Sequence, residues 1–522
     1  MAGTSIVPML PPQVLRGRKP FGRRVVSRDA ERRRVGAVTS ALAPHHLRQR
    51  VGRLLEDRAR RSTWDARAAV VLLESLARLP IGSAYFHHVA GILHAAAGRH
   101  ARAVACQERA LRAGPGRHAA AMHGRRGMSE FRLGEHAAAE ASFRGAIETG
   151  DPRASGYWLG LVQAMTRLGR RTEAERALVD AALAVPGVDG RPGVPLAWYI
   201  FEGGWGRDSL ADDLGEVVRR YPGAEEPMIS LSLMENARGR IAEGTDLMQR
   251  AAALHWPFPG AAGSTSACAI ARKEPAFILV GQPKAGTSAV FECLATHEYA
   301  DPPLLKEPQF WSDRYECGRE WYRAVFPPLS HRPHAKTFEA SVGCFTHPLA
   351  ARRISEHAPG TRIIVILRDS VARVHSEYQL YWRLGAERRP WDEIVDTELS
   401  RFPTCPLDPD EIRPADRMQS FLMRGAALPH LRRWVACFPQ EQLLVLRHRD
   451  LVVEPEATLA RICRFVDIPV KPGLVPQRVN EGFYEPMAAA TQGRLQPWYE
   501  AHDRALDDFL IGLRGSAGRA ST

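Results

Sequence analysis

The stretch that decides the fold is FILVGQPKAGTS, Phe277 to Ser288, followed at once by AVFECLATHE. Its first residues are apolar and short in run, which predicts a buried strand. Gly281, Pro283 and Gly286 then mark a loop, and the following residues have helical spacing. Strand, glycine loop and helix start together make an anion cradle, because free backbone N–H groups and the positive end of the helix dipole face the loop. The spacing narrows the anion. A nucleotide-triphosphate loop reads G-x-x-x-x-G-K-[ST], its lysine reaching the β- and γ-phosphates. Here Gly281 and Gly286 keep that separation, but Thr287 holds the lysine's place and Lys284 sits inside the loop. The residues describe a phosphate binder that is not an ordinary ATPase; the bland alternative is a plain strand-to-helix turn.

Lys284 also stands out by composition. Lysine occurs only at positions 19, 273, 284, 306, 336 and 471, and the other 65 of the 71 basic residues are arginine. Lysine is a compact point charge where arginine is a planar fork. A lysine retained in so arginine-biased a chain fits a place where one oxygen must be approached closely.

On the N-terminal side lies a long repetitive region. GRHARAVACQERALRAGP, GEHAAAEASFRGAIETGDP and GRRTEAERALVDAALAVP recur with a period of about 35 residues. Gly98, Gly134 and Gly169 open these units, small residues follow at Ala103, Ala139 and Ala174 and again at Ala110, Ala146 and Ala181, and Pro115, Pro152 and Pro186 close them. A further unit starts at Gly239, with Ala251 and Pro257, and a decayed one fits Gly204 to Pro222. Glycine allows a tight turn between two helices, alanine lets them approach, and proline ends the second. GAAGSTS, residues 260–266, then reads as a linker.

On the C-terminal side, LKEPQFWSD (305–313), KTFEASVGCF (336–345), RIIVILRDSVARVHSEYQLY (362–381) and QLLVLRHRDLVVEPEATLARICRFVDIP (442–469) alternate strand and helix patterns. Such alternation predicts a mostly parallel sheet covered on both faces. Ligands of these sheets bind at the carboxyl ends of strands, where Lys284 and Arg368 both fall.

Composition bounds the rest. The 522 residues allow two or three domains, and 45% hydrophobic with 25% charged residues is ordinary for a globular chain. The net charge of +13 is concentrated in the first 60 residues, a Pro/Arg-rich arm that need not define the activity, and no nucleic-acid partner is expected. The eight cysteines are scattered without a C-x-x-C pair, which fits buried thiols in a reducing compartment. No apolar run approaches the ~20 residues that span a bilayer, and the N-terminus lacks the order of a secretory leader. A cytoplasmic protein is the expectation, with no metal site.

The repeats resemble tetratricopeptide repeats, which implies a helical solenoid able to carry a protein partner or to support its neighbour. Residues from about 274 to 515 resemble the sulfotransferases that use 3′-phosphoadenosine 5′-phosphosulfate (PAPS). PKAGTS is similar to their 5′-phosphosulfate loop, and R-D-S-V-A-R-V-H-S to their 3′-phosphate motif, with Arg368 and Ser376 eight positions apart. The family usually has proline where this chain has Ser370. The resemblance implies that Lys284, Ala285, Gly286, Thr287 and Ser288 hold the 5′ end, that Lys284 meets charge on the bridging oxygen, and that Arg368 and Ser376 hold the 3′-phosphate. LKEPQFW is similar to a segment of the glycan-modifying branch. That likeness implies Glu307 as general base, with Lys306 beside it touching the sulfonate. Phe310 and Trp311 are read as core, and His297, His331, His334 and His375 as alternative bases. QRVNEGFYEPM resembles the segment near a basic loop over the 3′-phosphate, with Arg478 the candidate.

The expected fold is therefore a helical-repeat solenoid followed by a P-loop-like α/β sulfotransferase domain. Its boundaries are expected at 1–40 for the basic arm, 41–258 for the repeats, 259–273 for the linker, 274–515 for the domain and 516–522 for the tail. The expected activity is sulfuryl transfer from PAPS to a hydroxyl or amine, on an acceptor such as a polysaccharide. A kinase-like phosphotransferase, or a repeat scaffold with a degenerate enzyme domain, are the alternatives.

Overall fold

The computed structural model describes residues 83–96, 98–150, 155–184, 208–257, 271–384, 387, 389–413, 420–476 and 487–517. The repeat region is a series of antiparallel helices: α1 (Ser83–Ala96), α2 (His100–Arg112), α3 (Ala119–Leu133), α4 (His136–Thr149), α5 (Ser155–Arg167), α6 (Arg171–Ala184), α7 (Asp208–Arg220), α8 (Glu225–Ala237) and α9 (Ile241–His255). The repeat glycines Gly98, Gly134, Gly169 and Gly239 all have positive φ, between 72° and 81°, at the turn inside each helical pair. The alanines of the pattern, from Ala103 to Ala251, are at most 1% exposed. In the last pair the small position is Gly244, where a Cβ would lie 2.1 Å from the Asn236 carboxamide oxygen. The turn and the close helix approach predicted from the period are both present. Gly204, Pro152 and Pro186 lie outside the described residues.

The second half is built on five parallel strands in the order β2-β3-β1-β4-β5. They are β1 (Phe277–Gly281), β2 (Ala300–Asp301), β3 (Lys336–Ala340), β4 (Arg362–Leu367) and β5 (Leu443–Arg447). Central β1 pairs with β3 through Ile278 opposite Glu339, and with β4 through Gly281 opposite Ile366. The pleat divides the core. Ile278, Val280, Ile363 and Val365 face a cluster that also contains Phe143, Met165 and Met248 of the repeats, while Phe277, Leu279, Ile364 and Ile366 face a second cluster. The repeats thus share a core with one face of the sheet.

The helices that bear on the site are α10 (Thr287–Ala295), α11 (Gly318–Ala324), α12 (Ser370–Leu384), α13 (Phe421–Gly425), α14 (His448–Val453) and α15 (Ala489–Ala517). The chain after β5 runs at once into the short helix α14. Trp321 of α11 is fully buried and donates its indole N–H to Ser232 of α8 at 3.0 Å. Arg167 at the end of α5 stacks 3.8 Å from the Trp382 ring centroid of α12 and donates to the carbonyls of Trp382 and Glu387, each at 2.9 Å. These two contacts, among the described residues, add to the shared core in joining the repeats to the second half. Among the described residues, no helix is long and apolar enough to cross a membrane, and seven cysteines carry free thiols, five of them buried.

Candidate active site

The loop after β1 turns through left-handed backbone at two residues. Lys284 has φ 67° and Gly286 φ 98°. Gly286 caps α10, whose first residue is Thr287. A side chain at 286 would meet the His448 ring at 3.2 Å, and one at 281 would strike the Ile366 carbonyl oxygen at 2.3 Å. Both glycines are therefore required by close approach as well as by conformation. Ala285 and Thr287 are buried, with the Ala285 N–H donating to the Gln282 carbonyl at 3.1 Å, whereas Lys284 and Ser288 stay half-exposed.

Lys306 joins this loop to the segment containing Glu307. Its ammonium donates to Ser288 Oγ at 2.8 Å and to Glu307 Oε1 at 3.0 Å. Gln309 Nε2 donates to the other Glu307 oxygen at 3.2 Å, and the Gln309 main-chain N–H donates to Ser341 Oγ at 3.2 Å. Glu307 and Gln309 have φ 56° and 53°, a left-handed conformation that non-glycine residues seldom adopt. The segment is fixed from below by the aromatic pair, since Phe310 and Trp311 are fully buried and Phe310 stacks on Tyr322 at 4.4 Å. Their reading as core holds.

Arg368 leaves the end of β4 beside the same loop. Its guanidinium donates to the Lys284 carbonyl at 2.8 Å. Asp369 caps α12 by accepting from the Ala372 N–H at 2.8 Å. Ser370 takes a role that proline could not, as its hydroxyl donates to Asp503 of α15 at 2.8 Å. Arg368 lines two adjoining cavities of about 390 and 490 Å³. The first adds Arg447, His448 and Arg449 at the end of β5; the second lies between α12 and α15, with His375, Gln496, Glu500 and Arg504.

The structure therefore brings Lys284, Ser288, Lys306, Glu307 and Arg368 into one connected group. Ser376 is on the expected helix two turns from Arg368, but it is only 5% exposed and is not among the described residues lining either cavity. Arg478 lies outside the described residues. The alternative bases have other partners. His297 bonds the Pro469 carbonyl through Nε2 and accepts from the Tyr299 N–H at Nδ1, while His331 pairs with Asp301 and stacks near Trp256. His334 packs on Tyr299. His375 sits against Gln379 and Trp391, and burial lowers its pKa.

Sequence reasoning missed three residues here. Gln282 is fully buried behind the loop, His448 packs against Gly286, and Glu339 is buried in the apolar layer beneath Glu307. Burial raises the Glu339 pKa to about 8 against the pull of Tyr322 and Ser341, with Glu307 pushing the same way as burial. Only strand pairing and long-range loop contacts reveal these three. The closeness of His448 to Gly286, for instance, joins positions far apart in the sequence. The lysine bias in turn has a wider meaning than the site: Lys273 is buried on Asp301 and two carbonyls, and the partly exposed Lys336 donates to Asp467 and the Val466 carbonyl.

Comparison with known proteins agrees with this division. Residues 274–490 match the sulfotransferase domain model, and residues 88–154 and 125–195 match the tetratricopeptide repeat model. A human protein named bifunctional heparan sulfate N-deacetylase/N-sulfotransferase 3 is 27% identical over 203 residues, taking in 37% of this chain and 22% of that protein. The Xenopus laevis protein named bifunctional heparan sulfate N-deacetylase/N-sulfotransferase 1 is 27% identical over 201 residues with the same shares. The chain thus spans about a fifth of the length of these curated relatives. Among solved structures, a sulfotransferase from Alicyclobacillus acidocaldarius is 20% identical with a TM-score of 0.38, covering 46% of this chain and 96% of its own. The structure of MamA is 13% identical with a TM-score of 0.24, covering 37% and 91%. Residues 274–490 are a sulfotransferase domain, and tetratricopeptide repeats precede it.

Proposed function

We propose that this chain moves the sulfuryl group of PAPS to a hydroxyl or amine of a glycan-type acceptor, with Glu307 as general base. The observation that carries the reading is the Lys306 ammonium, which bridges Ser288 of the anion loop to the Glu307 carboxylate. That link through one side chain supports pairing the carboxylate with the loop in one reaction. The residues fit the donor. The αL backbone at Lys284 and Gly286 and the start of α10 suit a 5′-phosphate. Arg368 and Arg449 offer guanidiniums farther along the strand ends for a second phosphate, beside Arg447, which is paired with Asp507, and beside Asp369 and Asp503 in the same lining. PAPS supplies an activated sulfonate on its 5′-phosphate.

Glu307 accepts the proton that the acceptor O–H or N–H loses as its O–S or N–S bond forms. Lys306 lies where it can hold a sulfonate oxygen, and Lys284 meets the negative charge that stays on the bridging oxygen as the old S–O bond breaks. Such stabilisation counts because the charge appears in the transition state. Ser376 and Arg478 are proposed as further 3′-phosphate ligands on the family likeness alone. The named relatives act on heparan sulfate, which supports a polysaccharide acceptor. The repeats support a protein or polymer partner, and the free cysteines support a reducing, cytoplasmic setting.

Thermal unfolding of the full chain with adenosine 3′,5′-bisphosphate, and separately with ATP and magnesium, tests the donor. The bisphosphate is expected to raise Tm without any metal, by linkage to the folded state. Stabilisation by magnesium ATP alone would instead establish the kinase-like reading.

A further inference from the structure

Gln282 is a fully buried polar side chain on which three segments of the sulfotransferase domain converge. Its Oε1 accepts the main-chain N–H of Arg368 at 2.9 Å, and its Nε2 donates to the Gly425 carbonyl at 2.7 Å. Its own main-chain N–H donates to the Ile366 carbonyl at 3.1 Å. One carboxamide thus spans the loop after β1, the end of β4 and the end of α13. The carbonyl it reaches is itself fixed. A Cβ on Gly425 would lie 2.3 Å from the Tyr499 hydroxyl and 3.1 Å from an Arg373 guanidinium nitrogen. Tyr499 of α15 donates to the Leu422 carbonyl, and Arg373 of α12 donates to the Phe421 carbonyl.

We propose that Gln282 is the positioning residue that holds the 5′-phosphate loop and the 3′-phosphate strand end at the separation of one nucleotide. The inference rests on the reading that both cradles bind a single 3′,5′-bisphosphorylated ligand. Arg368 is tied to the loop twice, through its backbone by Gln282 and through its guanidinium by the Lys284 carbonyl. The two ties differ in kind. A half-exposed guanidinium can exchange a neutral carbonyl for a phosphate, since charge-assisted bonds are stronger. The Gln282 bonds are sealed from water and have no substitute, so they keep the spacing while Arg368 changes partner. An amide suits the position because it must accept from an N–H and donate to a C=O at once.

The test measures binding of adenosine 3′,5′-bisphosphate and adenosine 5′-monophosphate to the full chain by calorimetry. It compares wild type, Gln282→Leu and Gln282→Glu. Leucine leaves the Arg368 N–H and the Gly425 carbonyl unpaired. The bisphosphate Kd should rise by about tenfold or more, because both buried hydrogen bonds that set the spacing are lost, and the monophosphate Kd should change by less than about threefold. In Gln282→Glu the introduced carboxyl, while protonated, can accept and donate as the amide does, and burial favours that form. Its bisphosphate Kd relative to wild type should be near unity at acidic pH and rise toward the leucine value as pH increases. A purely structural role predicts equal loss for both ligands and no such pH trend, and either result overturns the inference. If Gln282→Leu does not fold, the pH trend of Gln282→Glu decides alone. Wild type that binds the bisphosphate no tighter than the monophosphate would overturn the single-nucleotide reading and the inference with it. Wild type that prefers the bisphosphate, with variants that match it, would overturn the inference only.

Discussion

Three side chains at the site, Lys284, Glu307 and Gln309, are held with positive φ. Each such residue costs about 1–3 kcal/mol, and the surrounding contacts must over-determine it. For Glu307 those contacts are Lys306 and Gln309, both on its carboxylate. Replacing Glu307 by Gln keeps the shape and removes the base. Turnover should fall by roughly 10²–10⁴-fold with little change in KM for PAPS, and steady-state kinetics will show whether kcat alone moves. Glu339 makes a prediction of a different sort. Its carboxyl keeps a proton to about pH 8 in the native state, against an ordinary value of 4.5. The folded chain therefore binds more protons than the unfolded chain between those limits, and stability falls as pH rises through that window. Glu339→Gln removes this decline, so its Tm relative to wild type should be higher at pH 8–9 than at pH 5. Lys284 and Glu307 were legible in the sequence because the family likeness and their spacing in local motifs mark them. Glu339 was not, because strand alternation gives its face but not the Tyr322 that closes over it.

At the scale of elements, α12, which begins beside Arg368, is anchored by a buried ion network. Glu377 accepts from Arg373 at 2.6 Å and from Arg424 at 2.9 Å, and both Arg373 and Glu377 are sealed from solvent. Burial alone would raise the Glu377 pKa, but Arg424 and Arg373 outweigh it and hold the carboxyl below its ordinary value. The sign follows: the network's stability is present above the unfolded pKa and is lost as pH falls through the lower folded one. Glu377→Gln removes the carboxylate to which both Arg373 and Arg424 donate. It should destabilise by about 3–5 kcal/mol in denaturant unfolding near neutral pH, with a smaller difference in acid. The helix itself was visible in the sequence, as was Arg368 at its start. The fate of Ser376 was not. Eight positions of helical spacing place it two turns away, but the rotation of α12 is set by Glu377 and Phe421, which the R-x7-S pattern does not contain. The repeat helices were more legible because each glycine turn and alanine contact is a local requirement, met again in every unit.

At the scale of the molecule, repeats and sulfotransferase domain are one folded unit in their cores. The Trp321 indole bonded to Ser232, and Arg167 stacked on Trp382, cross between them. Trp321→Ala should cost about 3–5 kcal/mol by removing a fully buried ring, and it should lower the stability of both halves together, with calorimetry showing a single shifted transition. Two separate transitions, with only one of them moved, would show the halves to be independent. The sequence located the change of pattern near residues 260–266 but could not show this joint, since Ser232 and Trp321 belong to no motif. The loop after β1, Lys306, Glu307 and Arg368 are proposed to make one sulfuryl-transfer site. Transfer of radiolabelled sulfuryl from PAPS to an N-unsubstituted heparan-type polymer, by full-length wild type and Lys284→Ala, tests it most directly. The expected result is labelled polymer with wild type and loss of labelling in Lys284→Ala; unchanged turnover in that variant would contradict the account.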